Sequence, residues 1–300
     1  MMRVFVTGGS GFIGAAVVRL LVEQGIDTAV LVSPDSSAHR LRSLEGRFTR
    51  IEGRLADIPA LGSTLEHFQP QACISLAWYA EPGKYLYSAE NVPVLEQSLA
   101  ALHTLGALGC KQFVGVGTCA EYDTDCGFLR EDETPTKPAT IYAACKLSMC
   151  LIGQHMAAAA GMNFAWGRLF YIYGQQEDQR RLVPSLIESL RQGKPFEATA
   201  GEQIRDYLHL NDVAEGLVTL AQQGASGVYN IASGQPISIR SLMETVGDII
   251  GRRDLITFGA LPYRQWEPMF ICGDNRKLRS LGWNPCYSLR AGLEQVAAGV

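Results

Sequence analysis

Val4-Phe5-Val6-Thr7-Gly8-Gly9-Ser10-Gly11-Phe12-Ile13-Gly14-Ala15-Ala16-Val17 stands near the start of the chain, and its reading governs the rest. Val4 to Val6 are β-formers, the glycines make a turn, and Ile13, Val17, Leu20 and Leu21 follow with helical spacing. The order is strand, turn, helix. Gly9, Gly11 and Gly14 fit G-x-G-x-x-G, whose glycines permit a tight turn, close approach to a pyrophosphate and close packing of helix on strand. The start of that helix, at Phe12 and Ile13, offers unpaired N–H groups and partial positive charge to phosphate. A dinucleotide is therefore the expected ligand. An ATP-type loop is disfavoured, because no Gly-Lys-Ser/Thr follows.

Three hundred residues suffice for one large α/β domain or two modest ones. An apolar fraction of 47% and a charged fraction of 19% describe a globular, enzyme-like chain. The net charge of −4, with no basic run, argues against a nucleic-acid partner. The chain enters a strand at once, and no segment approaches eighteen uninterrupted apolar residues. Neither export nor a membrane partner is expected, and the cytoplasm is the expected location. The eight cysteines include no C-x-x-C pair, and the histidines are not clustered. They read as reduced thiols, mostly core filler, with no metal site expected.

Further strands are expected over 28–32, 49–53, 72–76 and 112–116, separated by helices around 61–68 and 89–108. Such alternation predicts an α/β, Rossmann-type doubly wound parallel sheet. After about residue 170 it weakens. The expected organisation is a dinucleotide-binding part over 1–170 and a smaller substrate-binding lobe over 171–300, interleaved with the first. In the lobe a helix is expected over 183–192, strands near 197 and over 229–231, and a helix over 239–250.

The end of the second strand is where such a fold tests the adenosine ribose: an acid there suits NAD, and its absence with a nearby arginine suits NADP. This chain reads Val32-Ser33-Pro34-Asp35, followed by Arg40 and Arg42. Ser33 and Arg40 are the expected 2′-phosphate partners, Arg42 is a lesser one, and Pro34 carries Asp35 past the usual acidic position. NADP(H) is thus the preferred cofactor, with NAD(H) possible. Asp57 is expected to reach the adenine amine, and Leu76 and Ala77 to lie along the cofactor. Trp78 and Tyr79, after the fourth strand, are positioned to touch substrate.

Tyr142 and Lys146, four residues apart in a helical stretch over 142–160, share one helical face, where the ammonium can lower the phenol pKa and hold a nicotinamide ribose. Thr118 closes the fifth strand, at the sheet edge where open α/β folds place their chemistry.

With these residues in view, the chain resembles an extended short-chain dehydrogenase/reductase of the NAD-dependent epimerase/dehydratase superfamily. Gly8, Gly11 and Gly14 match that family's G-x-x-G-x-x-G, and Thr118, Tyr142 and Lys146 match its Ser/Thr-Tyr-Lys triad. Arg168 with Tyr173-Gly174, the run from Arg205 to Val213, the run from Tyr229 to Gly234, and Asp274 ahead of Leu281-Gly282-Trp283 extend the likeness nearly end to end. The resemblance implies a nucleotide-diphosphate sugar as substrate. It implies that Arg205 contacts the substrate phosphate, that Leu182 and Val183 line the base pocket, and that Arg168 belongs to the substrate site. Tyr171 departs from the asparagine common in the family. The resemblance also implies a homodimer through the helices over 89–108 and 142–160.

The same family suggests which reactions are open. Its dehydratases and decarboxylases carry a further acid two positions after the Ser/Thr, where this chain has Ala120, and its 3,5-epimerases carry a cysteine there. Glu121 and Cys119 are each offset by one. Plain ketone reduction or 4-epimerisation remains. The expectation is an NADPH-dependent reductase of a nucleotide-linked 4-keto-6-deoxy sugar. The alternatives are a nucleotide-sugar 4-epimerase with retained NAD and a non-catalytic NADP(H)-binding regulator.

Overall fold

Val4, Phe5 and Val6 are wholly buried in β1 (Arg3–Thr7). The computed structural model describes residues 2–264 and 267–299. From β1 the chain passes through α1 (Phe12–Glu23), β2 (Asp27–Val32), β3 (Thr49–Glu52), α2 (Gly62–Phe68), β4 (Ala72–Ser75), α3 (Asn91–Ala107) and β5 (Gln112–Thr118). A short β6 (Phe128–Leu129) precedes α4 (Ile141–Ala159), and β7 (Asn163–Leu169) follows it. Beyond lie β8 (Tyr171–Tyr173), α5 (Leu182–Arg191), β9 (Phe196–Glu197), β10 (Ile204–His209), α6 (Leu210–Gln222), β11 (Gly227–Ile231), β12 (Pro236–Ser238) and α7 (Ile239–Ile250).

The main sheet is parallel, with seven strands in the order β11-β7-β5-β4-β1-β2-β3. Both faces are covered, so its strands are apolar along nearly their whole length. On one face, α1 and α6 close over Val4, Val6, Val30 and Val114. On the other, α2, α3 and α4 cover Phe5, Phe113, Phe164 and Trp166, whose last three rings stack with centroids 5.7 and 6.0 Å apart. The strand order reverses between β1 and β4, which opens a crevice at their carboxyl ends. This is a Rossmann-like fold.

α6 and β11, both from beyond residue 170, complete this layer, so the two parts share the chain. The lobe is a three-stranded sheet, β12-β10-β8, packed with α5 and α7 around Leu186, Ile187, Leu190, Leu242 and Met243. β7, β10 and α6 were not anticipated. In β7, Gly167 and Arg168 interrupt the apolar run, and in β10, Arg205 and Asp206 do the same. Both strands are nevertheless almost entirely buried, because their polar side chains are paired inside. Six of the eight cysteines are buried. Among the described residues, no helix is long and apolar enough to cross a membrane.

Candidate active site

The glycine turn is held by backbone alone. Gly8 has φ +70°, and a Cβ there would lie 2.5 Å from the Ala77 nitrogen; one at Gly14 would lie 2.1 Å from the Gly8 carbonyl oxygen. Gly11 N–H donates to that same oxygen at 3.0 Å, and no side chain caps α1. The N–H groups at Phe12 and Ile13 therefore remain for an anion. This cradle fits a dinucleotide, with Leu76 and Ala77 forming its far wall. Leu76 N–H donates to the Thr7 carbonyl and Ala77 N–H to the Thr7 hydroxyl.

The turn after β2 is pinned to the cradle, as Ser36 Oγ donates to Ser10 Oγ at 3.0 Å. Ser33 Oγ accepts from Asp35 N–H, and the exposed Asp35 carboxylate pairs with Arg54 at 2.6 Å. One Asp57 oxygen accepts from Arg54 N–H at 2.7 Å, capping a short turn while the side chain stays exposed. Arg40 departs from expectation. Its guanidinium crosses to the Gln176 carbonyl at 2.8 Å, and its buried Nε has no partner. Arg42 is exposed. Arg54 is the basic group of this network, joined to Ser33 through Asp35, and nothing in its sequence setting marked it.

Thr118, Tyr142 and Lys146 come together at the carboxyl end of β5. Thr140 caps α4 by accepting from Ala143 N–H, which sets Tyr142 in the first turn. The Thr118 hydroxyl lies close enough to the phenol to favour its ionised form. Burial holds the Tyr142 phenol far above its usual range, with Tyr85, Glu121 and Cys119 adding to the effect and Thr118 opposing it. Lys146, 4% exposed, lies 5.9 Å from the Tyr142 ring centroid. Burial pulls its ammonium down to about 7 against the pull of Glu121. It is the cation at hand to draw the phenol down.

Glu121 faces the core, not the cleft. It is wholly buried, bound by Arg168 Nε at 2.8 Å, by Trp166 Nε1 and by Thr118 N–H. Arg168, expected at the substrate, is consumed by this pair and by the Tyr122 ring, 4.1 Å from its Cζ. Cys119 is buried, and its thiol is pushed up to about 12 by burial. Ala120 carries no acid.

On the lobe side, Arg205 is 3% exposed, its Cζ lies 5.3 Å from the Tyr171 ring centroid, and its guanidinium binds Glu267 at 3.1 Å. Tyr171 thus packs against Arg205 in the place of the expected asparagine. Leu182 is half-buried at the start of α5, whereas Val183 is 2% exposed and packed in the lobe core. Tyr79 Oη donates to Glu81, which Lys84 also binds. Trp78 lies beneath Lys146, its ring centroid 3.7 Å from Nζ.

Sequence reasoning missed Tyr85, whose ring meets that of Tyr142 edge-on at 4.8 Å. It also missed Asn91, which binds the Trp78 indole, and Glu177, whose buried Oε2 has no partner. Burial pushes Glu177 up to about 8, with Arg181 opposing and Asp178 reinforcing. An amide at the first, buried position of a helix was the one available signal, for Asn91.

Chemically, the site can move a proton at Tyr142 while Thr118 bonds the same oxygen. A bound dinucleotide would accept and return hydride there.

The NAD dependent epimerase/dehydratase family model matches residues 4–232. A UDP-glucose 4-epimerase of Corynebacterium glutamicum is 25% identical over 310 residues, spanning 95% of this chain and 91% of that protein. The structure of a UDP-glucose 4-epimerase of Thermotoga maritima with UDP-glucose superposes with a TM-score of 0.88 at 23% identity, covering 99% of this chain and 98% of that one. A dTDP-glucose 4,6-dehydratase of Bacillus anthracis in complex with NAD superposes at 0.82 and 19% identity, covering 100% and 96%. The structural likenesses speak for the shared fold.

Proposed function

Because the chain belongs to the NAD dependent epimerase/dehydratase family, we propose that it interconverts C4 epimers of a nucleotide-diphosphate hexose, with UDP-hexoses the first candidates from the relatives above. One observation carries this reading: the residues that follow Thr118 bring no further acid or base into the cleft. Ala120 offers no acid, and Glu121 is sealed in by Arg168 and Trp166. Loss of water needs a further acid or base in the cleft, whereas oxidation and re-reduction at C4 need only the hydroxyl proton moved. Tyr142 takes and returns that proton, Thr118 steadies the oxygen, and Lys146 keeps positive charge beside the phenol. Arg205 receives the diphosphate, Leu182 flanks the base, and Trp78 and Tyr79 bound the cleft. Gly8, Gly11, Phe12, Ile13, Gly14, Ser33, Asp57, Leu76 and Ala77 hold the cofactor. A reaction that returns hydride to the same sugar is best served by NAD that stays bound.

The NADPH-dependent 4-keto-6-deoxy sugar reductase expected from the sequence stands second. What favours it is the turn after β2, where Val32 and Ser33 supply no acid and Arg54 pairs with Asp35, whose N–H bonds Ser33. To decide, the dinucleotide released by denaturing the purified protein is identified, and the native protein is incubated with UDP-glucose without added cofactor. Bound NAD with formation of the C4 epimer supports the epimerase. Bound NADP, with NADPH consumed one per keto-sugar and no interconversion, overturns it for the reductase.

A further inference from the structure

Among the described residues, Lys146 has no carboxylate within ion-pair distance. Its buried Nζ donates to the Val116 carbonyl at 2.8 Å and lies 3.7 Å from the centroid of the Trp78 ring. The titratable groups facing it are Tyr142 on its own helix and Glu121 beyond β5, the latter committed to Arg168 on β7. The neighbours from β4, α3, β5 and β7, namely Ser75, Ser98, Phe113 and Trp166, are uncharged. An ammonium in so dry a place needs a substitute for water, and the negative face of an indole is one.

The indole is not free to turn away. Trp78 Nε1 donates to Asn91 Oδ1 at 2.9 Å, and the wholly buried Asn91 donates through Nδ2 to the Tyr85 carbonyl at 2.7 Å and the Ser88 carbonyl at 2.8 Å. The same loop accepts from Tyr142 N–H at the Leu86 carbonyl and sets the Tyr85 ring against the Tyr142 ring. One amide therefore holds the floor under the ammonium and the wall beside the phenol.

We propose that Trp78 is a positioning residue whose indole face, locked by Asn91, acts as the counter-charge that keeps Lys146 an ammonium beside Tyr142. A carboxylate in that place would cancel the positive charge the phenol needs, whereas a π face stabilises the cation without neutralising it. The catalytic side of the argument rests on the proton-transfer role given above to Tyr142 and Lys146. The contact itself does not.

The test replaces Trp78, in the full-length protein, with tryptophan analogues bearing successively more ring fluorine, which weaken the π face while keeping its shape. The Lys146 side chain is followed by ¹³C NMR, its resonance assigned with Lys146→Met. The midpoint should fall with each step, by roughly one pH unit in all, and the alkaline limb of kcat should move with it. Asn91→Ser should lower the midpoint in the same direction with the indole still present. A midpoint that stays put across the fluorinated series overturns the proposal. If the midpoint falls as expected but Lys146→Met keeps full activity, the cation–π contact stands and the proposed role of Lys146 in proton transfer fails.

Discussion

Tyr142 and Arg168 show how differently two motif residues can be spent. Tyr142→Phe removes the phenol beside Thr118 and Lys146, so kcat should drop by about a hundredfold or more, with an unchanged far-UV spectrum and melting curve. Turnover near that of the parent protein would mean that another group moves the proton. Arg168, by contrast, holds Glu121 in the core. Arg168→Met leaves a buried carboxylate unpaired and should cost about 3–5 kcal/mol of unfolding free energy, read from urea denaturation. A raised substrate KM with stability unchanged would return Arg168 to the cleft.

At the scale of elements, the segment leading to Cys272 and Gly273 runs beside the start of β10. Ile204 N–H donates to the Met269 carbonyl and Ile271 N–H to the Ile204 carbonyl. That pairing carries Glu267 onto Arg205, whose side chain is 4% exposed while the glutamate is 25% exposed. On the proposal that Arg205 receives the diphosphate, the ligand has to share or displace this carboxylate. Glu267→Gln should therefore tighten UDP binding by about twofold to fivefold, the scale of a partly exposed ion pair, as measured by calorimetry. Unchanged or weaker binding would show that Glu267 orients Arg205 and does not compete for it.

For the molecule as a whole, α3 and α4 pack side by side and leave Val92, Leu151 and Ile152 at 46%, 54% and 43% exposure. We expect this face to pair with its copy in a homodimer. The Leu151→Glu, Ile152→Glu double variant should elute as a monomer in light-scattering chromatography, while the parent protein elutes at twice that mass. The sequence alone determined what depends on neighbours along the chain: a glycine turn between strand and helix, a phenol and an ammonium one helical turn apart, and a threonine ending a strand. From these, the parallel sheet and the meeting of Thr118, Tyr142 and Lys146 were legible. Which way a side chain faces across the sheet was not, because adjacent strand residues point to opposite faces and their partners lie far off in the chain. Glu121 meets Arg168 across 47 residues, and Arg40 meets Gln176 across 136. Only the tertiary structure decided that Arg168 is core and that Lys146 rests on Trp78, since the burial that makes those contacts strong exists only once the layers have closed.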